Sequence, residues 1–158
     1  VGLKSLKLIH PQKHDSWQEI PEIKKTISAP SNDLVDAYIE WSGAPLSLYD
    51  KTLPPHMFSQ WGLALGTELA LQTSLNLVNV INQGVSMNIY GELPRNEKLQ
   101  LSAKIDSFQE QDGVARLIVK MTTGTIQNPK LVEAFIHMAF LLPSFKKSKQ
   151  NKVQPELA

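Results

Sequence analysis

The stretch HMFSQWGLALGTELALQTSLNL, residues 56–77, decides how this chain folds. Met57, Phe58, Trp61, Leu63, Leu65, Leu69, Leu71, Leu75 and Leu77 fall within it, and no proline interrupts it. This composition predicts a helix across the whole stretch. Its polar side chains, Gln60, Thr67, Glu68, Gln72 and Thr73, do not gather on one broad face. Much of the helix circumference is therefore expected to be buried, which makes it a central helix. A membrane span would have to hold Glu68, Gln60, Gln72 and Asn76 in lipid, at high cost. The sequence that follows is also rich in strand signals, so no membrane partner is expected.

After the helix the apolar period falls to two. Val85, Met87 and Ile89 alternate with Ser86, Asn88 and Tyr90, and Leu99, Leu101, Ala103 and Ile105 alternate with Gln100, Ser102, Lys104 and Asp106. Each run predicts a half-buried strand. Asp112-Gly113 marks a turn before a third strand over 114–123, and Gln127-Asn128-Pro129 separates it from a fourth over 131–142. Joined by short turns, the four are expected to form a sequential antiparallel meander. Ahead of the helix, Ser31-Asn32-Asp33 offers N-cap chemistry, apolar residues recur from Leu34 to Trp41, and Gly43 supplies a C-cap, which together predict a short amphipathic helix. Three prolines between Ala44 and Pro55, with Tyr49-Asp50 among them, mark a structured loop of the kind that frames sites. Leu3, Leu6, Leu8 and Ile9 are available for an added strand within an N-terminal extension of uncertain structure over residues 1–21. The lysine-rich segment 144–158 reads as a flexible basic tail.

At 158 residues the chain is long enough for one sizeable core, so a single domain over 1–143 is expected. A hydrophobic fraction of 42% and a charged fraction of 20% are ordinary for a globular protein. Sixteen basic against fifteen acidic residues leave a net charge of +1, which offers no phosphate-neutralising field for nucleic acid. Without cysteine there is no thiolate chemistry and no cysteine-bound zinc, which fits a reducing compartment. The first residues carry no apolar run suited to a signal peptide, and the protein is read as cytoplasmic. His10 and His14 alone have close metal-ligand spacing, so no metal is expected, and no glycine-rich nucleotide motif or Gly-x-Ser-x-Gly elbow is present to imply another cofactor.

A long buried helix followed by an antiparallel meander is the order of elements in the hotdog fold, an α+β arrangement in which a curled sheet wraps one central helix. Local sequence sharpens the likeness. Lys25-Thr26-Ile27-Ser28 precedes the 34–41 helix and its Ser42-Gly43-Ala44-Pro45 end, and Leu53-Pro54-Pro55-His56-Met57-Phe58 opens the long helix. Asn82-Gln83-Gly84 then leads through a strand to Gly91-Glu92-Leu93-Pro94. Over residues 22–143 the chain resembles the MaoC-like dehydratase family, in particular its N-terminal-half type. The resemblance implies an acyl thioester of coenzyme A or acyl carrier protein as ligand and a homodimer with its pocket between helix and sheet. The implied role is that of a hydratase, a dehydratase or a non-catalytic partner half. Catalytic members carry an Asp and a His in a Gly-Asp-x-Asn-Pro-x-His type motif, which handles the protons of water addition or elimination. Asp50 and His56, six positions apart, are the nearest match, and Pro54-Pro55-His56 only loosely echoes the motif.

The candidate residues each admit two readings. His56 is an acid or base near neutral pH, or a polar residue at a helix end. Asp50 orients that histidine, or makes local turn bonds. Glu68, three turns into the apolar helix, is a buried general base or nucleophile for thioester hydrolysis with Gln72 beside it, or a carboxylate at a wet edge. Asn82, Gln83 and Gly84 hold a thioester carbonyl as an oxyanion hole, or simply open a strand. Tyr49 and Trp61 complete the substrate-binding candidates. His137, between Ile136 and Met138 on the face shared with Glu133 and Phe135, reads as an interface or satisfied residue rather than a ligand.

Overall fold

The computed structural model describes residues 13–145. The strand expected near Leu3 to Ile9, His10, and all of the basic tail beyond Phe145 lie outside the described residues.

Local sequence chemistry sets the element ends. Strand β1 spans Ile23–Ile27 and helix α1 spans Asn32–Trp41. At the start of α1 the Ser31 hydroxyl accepts the Leu34 N–H at 3.3 Å, and past its end Gly43 adopts φ +78°, the left-handed stop that glycine permits. A two-residue strand β2, Thr52–Leu53, and a 3₁₀ turn over Pro55–Phe58 lead into the central helix α2, Ser59–Ala70. The helix thus stops seven residues before Leu77. Its end lies where Thr73 turns its hydroxyl back onto the Ala70 carbonyl at 2.6 Å and accepts the Leu75 N–H at 3.1 Å. Hydroxyl side chains compete in this way with backbone bonding, which apolar counting along the stretch does not register.

The released residues feed β3, Val80–Ile89, which starts five residues before the alternating run that reveals it. After the short β4, Leu93–Pro94, come β5, Leu99–Gln111, β6, Val114–Gly124, and β7, Val132–Leu141. Positive φ at both Asp112 and Gly113 makes the β5–β6 connection a tight hairpin. All pairings are antiparallel, in the order β1-β5-β6-β7-β3, with β2 and β4 forming a separate pair. Only β5, β6 and β7 form the expected meander. β3 lies at the far edge, against β7, because β4 leaves the sheet to pair with β2 and the chain returns on the opposite side. Period-2 alternation specifies which face a strand buries but not which strand lies beside it.

The apolar core lies between α2 and the inner sheet face. Leu99, Leu101, Ala103 and Ile105 of β5 and Ala115, Leu117, Val119 and Met121 of β6 are buried against Trp61, Leu65 and Leu69. Gly62 lets the helix approach closely: a Cβ there would lie 2.7 Å from Met121 Sδ and 2.9 Å from a Phe58 ring carbon. One stripe of α2 is buried, formed by Trp61, Gly62, Leu65, Gly66, Leu69 and Ala70. The opposite stripe is open, with Leu63 59% exposed and Leu71, the residue that caps the helix, 41% exposed, contrary to the expectation of burial around most of the circumference. A single chain has only one sheet face to set against the helix. No helix of the described residues is long and apolar enough to cross a membrane.

Candidate functional site

The loop before α2 and the first turn of that helix assemble the first cluster. His56 sits exposed in the 3₁₀ turn, held there by its own main chain: Tyr38 Oη and Ser59 Oγ both donate to its carbonyl at 3.2 Å. Its ring lies against the Tyr38 ring, 5.4 Å between centroids, and Tyr38 in turn meets Trp41 at 6.0 Å. Tyr49 is partly buried against the core, and Asp50 stands exposed just after it. No hydrogen bond joins the Asp50 carboxylate to His56. Tyr38, which lies against His56, and Trp41 behind it are not among the residues singled out from the sequence, although their helical spacing is visible there.

Glu68 lies toward the other end of α2. Nine residues separate it from Ser59, about 13 Å along a helix axis, so it is remote from the His56 turn within one chain. Its side chain is 45% exposed and ion-paired with Lys25 of β1 at 2.5 Å, rather than sealed in apolar surroundings. Gln72 donates to the Glu68 main-chain carbonyl at 3.3 Å and not to the carboxylate. Trp61 is buried in the core, where its indole N–H donates to Thr123 Oγ1 at 3.1 Å. A buried indole normally finds such a partner, and the bond fixes the helix on the sheet.

Asn82, Gln83 and Gly84 form a bulge on β3, where the register against β7 shifts between Asn82 and Gly84. Gly84 adopts φ +112°, a conformation open to glycine, and its N–H is taken by Asn82 Oδ1 at 2.9 Å. The amide that an oxyanion would need is thus engaged locally. Across the pair, Ser86 Oγ and His137 Nε2 lie 3.1 Å apart on the outer sheet face.

Two apolar surfaces are left uncovered. The open α2 stripe is one. The other is β3, an edge strand whose inward residues Val80, Val85 and Ile89 are 40%, 46% and 59% exposed. An exposed apolar edge of ten residues with unpaired backbone groups is a surface that proteins normally cover.

No protein-family model and no curated protein matches the sequence. Solved structures do match the fold. The chain superimposes on the HadBC (3R-hydroxyacyl-ACP dehydratase) complex from Mycobacterium tuberculosis with a TM-score of 0.63 and 9% identity, over 78% of this chain and 99% of that one. A monoamine oxidase regulatory protein from Archaeoglobus gives 0.64 and 10%, over 84% and 95%. A mutant of the thioesterase PA1618 from Pseudomonas aeruginosa gives 0.52 and 11%, over 76% and 74%. At such identities the likeness is one of fold: the chain has the α+β hotdog arrangement of a helix set on an antiparallel sheet.

Proposed function

We propose that the protein is an acyl-thioester-binding hotdog protein of the MaoC-like type, built as one unit up to residue 143. It acts as a homodimer through β3, with coenzyme A or acyl carrier protein as the thioester carrier. The observation that carries this reading is the pair of uncovered apolar surfaces on α2 and β3. Together they offer a greasy wall for an acyl chain and an edge for a second copy. Its resemblance to dehydratases over residues 22–143, and the fold it shares with a hydroxyacyl dehydratase and a thioesterase, support the same ligand class.

The proposed chemistry is hydration of an enoyl thioester, or its reversal. His56 is accessible, carries an imidazole able to accept and return a proton, and stands in the turn that leads into α2. In the hydration direction it would take a proton from water as the oxygen bonds to C3 and the C2–C3 double bond opens, and would return that proton to C2. Asp50 is its proposed orienting partner, while Tyr49 and the Asn82-Gln83-Gly84 bulge of the other copy bound the pocket. A second reading, a non-catalytic acyl-binding subunit, is favoured by one observation: Asp50 and His56 are not hydrogen-bonded.

Incubation with crotonyl, 3-hydroxyacyl and saturated acyl-CoA thioesters, followed by mass spectrometry, tests these readings. Gain or loss of water is expected, and His56→Ala should abolish it while ligand is retained. Ligand bound unchanged by the unsubstituted protein selects the binding subunit. Free thiol, lost in Glu68→Gln, would replace hydration with thioester hydrolysis, and absence of any binding would remove the acyl-thioester assignment.

A further inference from the structure

The sheet face turned away from α2 is ordered by register into polar rows. Lys24 of β1 is opposite Ser102 of β5, Ser102 opposite Thr122 of β6, Thr122 opposite Glu133 of β7, and Glu133 opposite Asn88 of β3. In the next row Lys104 of β5 directly faces Lys120 of β6, a like-charge pair that sheets disfavour. Glu133 is only 4% exposed, although it lies on this outer face. Its Oε2 is 2.7 Å from Lys120 Nζ and 3.3 Å from Lys130 Nζ, and its Oε1 accepts the Tyr90 hydroxyl at 3.2 Å. One buried carboxylate therefore holds two ammonium groups side by side.

Lys104 takes part in no ion pair among the described residues. Above these groups is a hollow of about 210 Å³ bounded by Lys104, Lys120, Lys130, Ser102 and Thr122, with the carboxylates of Glu22 and Glu133 also at its wall. It adjoins a second hollow of about 430 Å³ that reaches Lys24. Four lysines against two carboxylates leave the combined wall with two uncompensated positive charges. Glu22 is turned to Lys24 at 3.4 Å, and Glu133 is ion-paired with Lys120 through Oε2 while its Oε1 accepts from Tyr90.

We propose that this hollow is a binding site for a phosphate-type polyanion, held by Lys104, Lys120 and Lys130 with the Ser102 and Thr122 hydroxyls. Ammonium groups are donors only and hydroxyls can donate, which suits an oxyanion that only accepts. An anion between Lys104 and Lys120 relieves their repulsion, and Glu133 fixes Lys120 and Lys130 before the anion arrives. The site lies on the opposite sheet face from the proposed acyl pocket and does not depend on that reading.

The test is titration of the full chain with inorganic pyrophosphate at low salt, read by calorimetry and by NMR of the lysine ε-methylene groups. Saturable binding is expected, with the largest shifts at Lys104, Lys120 and Lys130. Lys104→Gln should weaken it roughly tenfold, as befits loss of a charge-assisted hydrogen bond. Lys51→Gln, which removes the same charge from a loop outside the hollow, should leave it unchanged. Equal affinities for Lys104→Gln and Lys51→Gln, or no saturable binding, would overturn the proposal.

Discussion

Glu133 shows how a single carboxylate is reset by its neighbours. Hydrogen bonding from Lys120 is the largest influence, with Lys130 acting in the same direction, and together they outweigh the cost of burial and lower its pKa from 4.5 to about 2. Lys130 is shifted upward by the same contact, led by its bond to Glu133. Because the carboxyl is more acidic in the folded chain, its contribution to stability is complete above about pH 4.5 and is lost as pH falls towards about 2. Glu133→Gln should therefore be less stable at neutral pH and should show a flatter decline in unfolding midpoint between these limits, as read by urea titration at a series of pH values. An equally steep decline would assign the acid sensitivity to other carboxylates. At this scale the place of His56 just ahead of the central helix was legible from the sequence, since a histidine between a diproline and an apolar run stands out. The Glu133 cluster was not, because Lys120 of β6 and Asn88 and Tyr90 at the end of β3 reach it only through strand register, and Lys130, three residues before it, is the one local member.

Between elements, the close seat of α2 on the sheet rests on Gly62. A methyl group there meets Met121 and Phe58, both buried, at distances below 3.0 Å. Gly62→Ala raises helix propensity, which favours folding by at most about 1 kcal/mol. Overpacking costs about 1–3 kcal/mol and should win, since both neighbours are buried in the core. A lowered denaturation midpoint in Gly62→Ala is the expected result, and an increase would mean that the helix can lift off the sheet without penalty. Both helices and the strands β3, β5, β6 and β7 were readable from residue periodicity, and so were the turn signals at Ser31, Gly43 and Asp112-Gly113, whereas β1, β2 and β4 carry no such run. The end of α2 is not readable in this way, because Thr73 acts through a side-chain bond to Ala70 whereas the apolar pattern continues smoothly to Leu77.

For the whole molecule, the decisive feature is incompleteness. Leu63 on α2, Leu71 at its cap, and Val85 and Ile89 on β3 remain open, although the sequence pattern reads as if they should be buried. That discrepancy is what the proposed dimer resolves: a pattern records burial in the assembled protein, while one chain can cover only one stripe of its helix. Val85→Lys places a charge in the middle of the proposed contact while leaving the chain's own core intact. Sedimentation should show loss of the dimer, accompanied by loss of acyl-thioester retention. A dimer that survives the substitution would place the contact elsewhere.

What the sequence determined by itself was local: a helix without proline, strands of period two, the caps and turns between them, and the order of elements that resembles a hotdog domain. These depend on side chains close together along the chain, whose propensities and hydrogen bonds act over a few residues. The tertiary structure alone decided that β3 lies beside β7, that Glu68 meets Lys25 instead of an apolar pocket, and that Lys104 faces Lys120 above a buried Glu133. Each of these depends on which strands become neighbours and in what register. Alternation fixes the face of a residue, but its partners across the sheet are set only when the whole core closes.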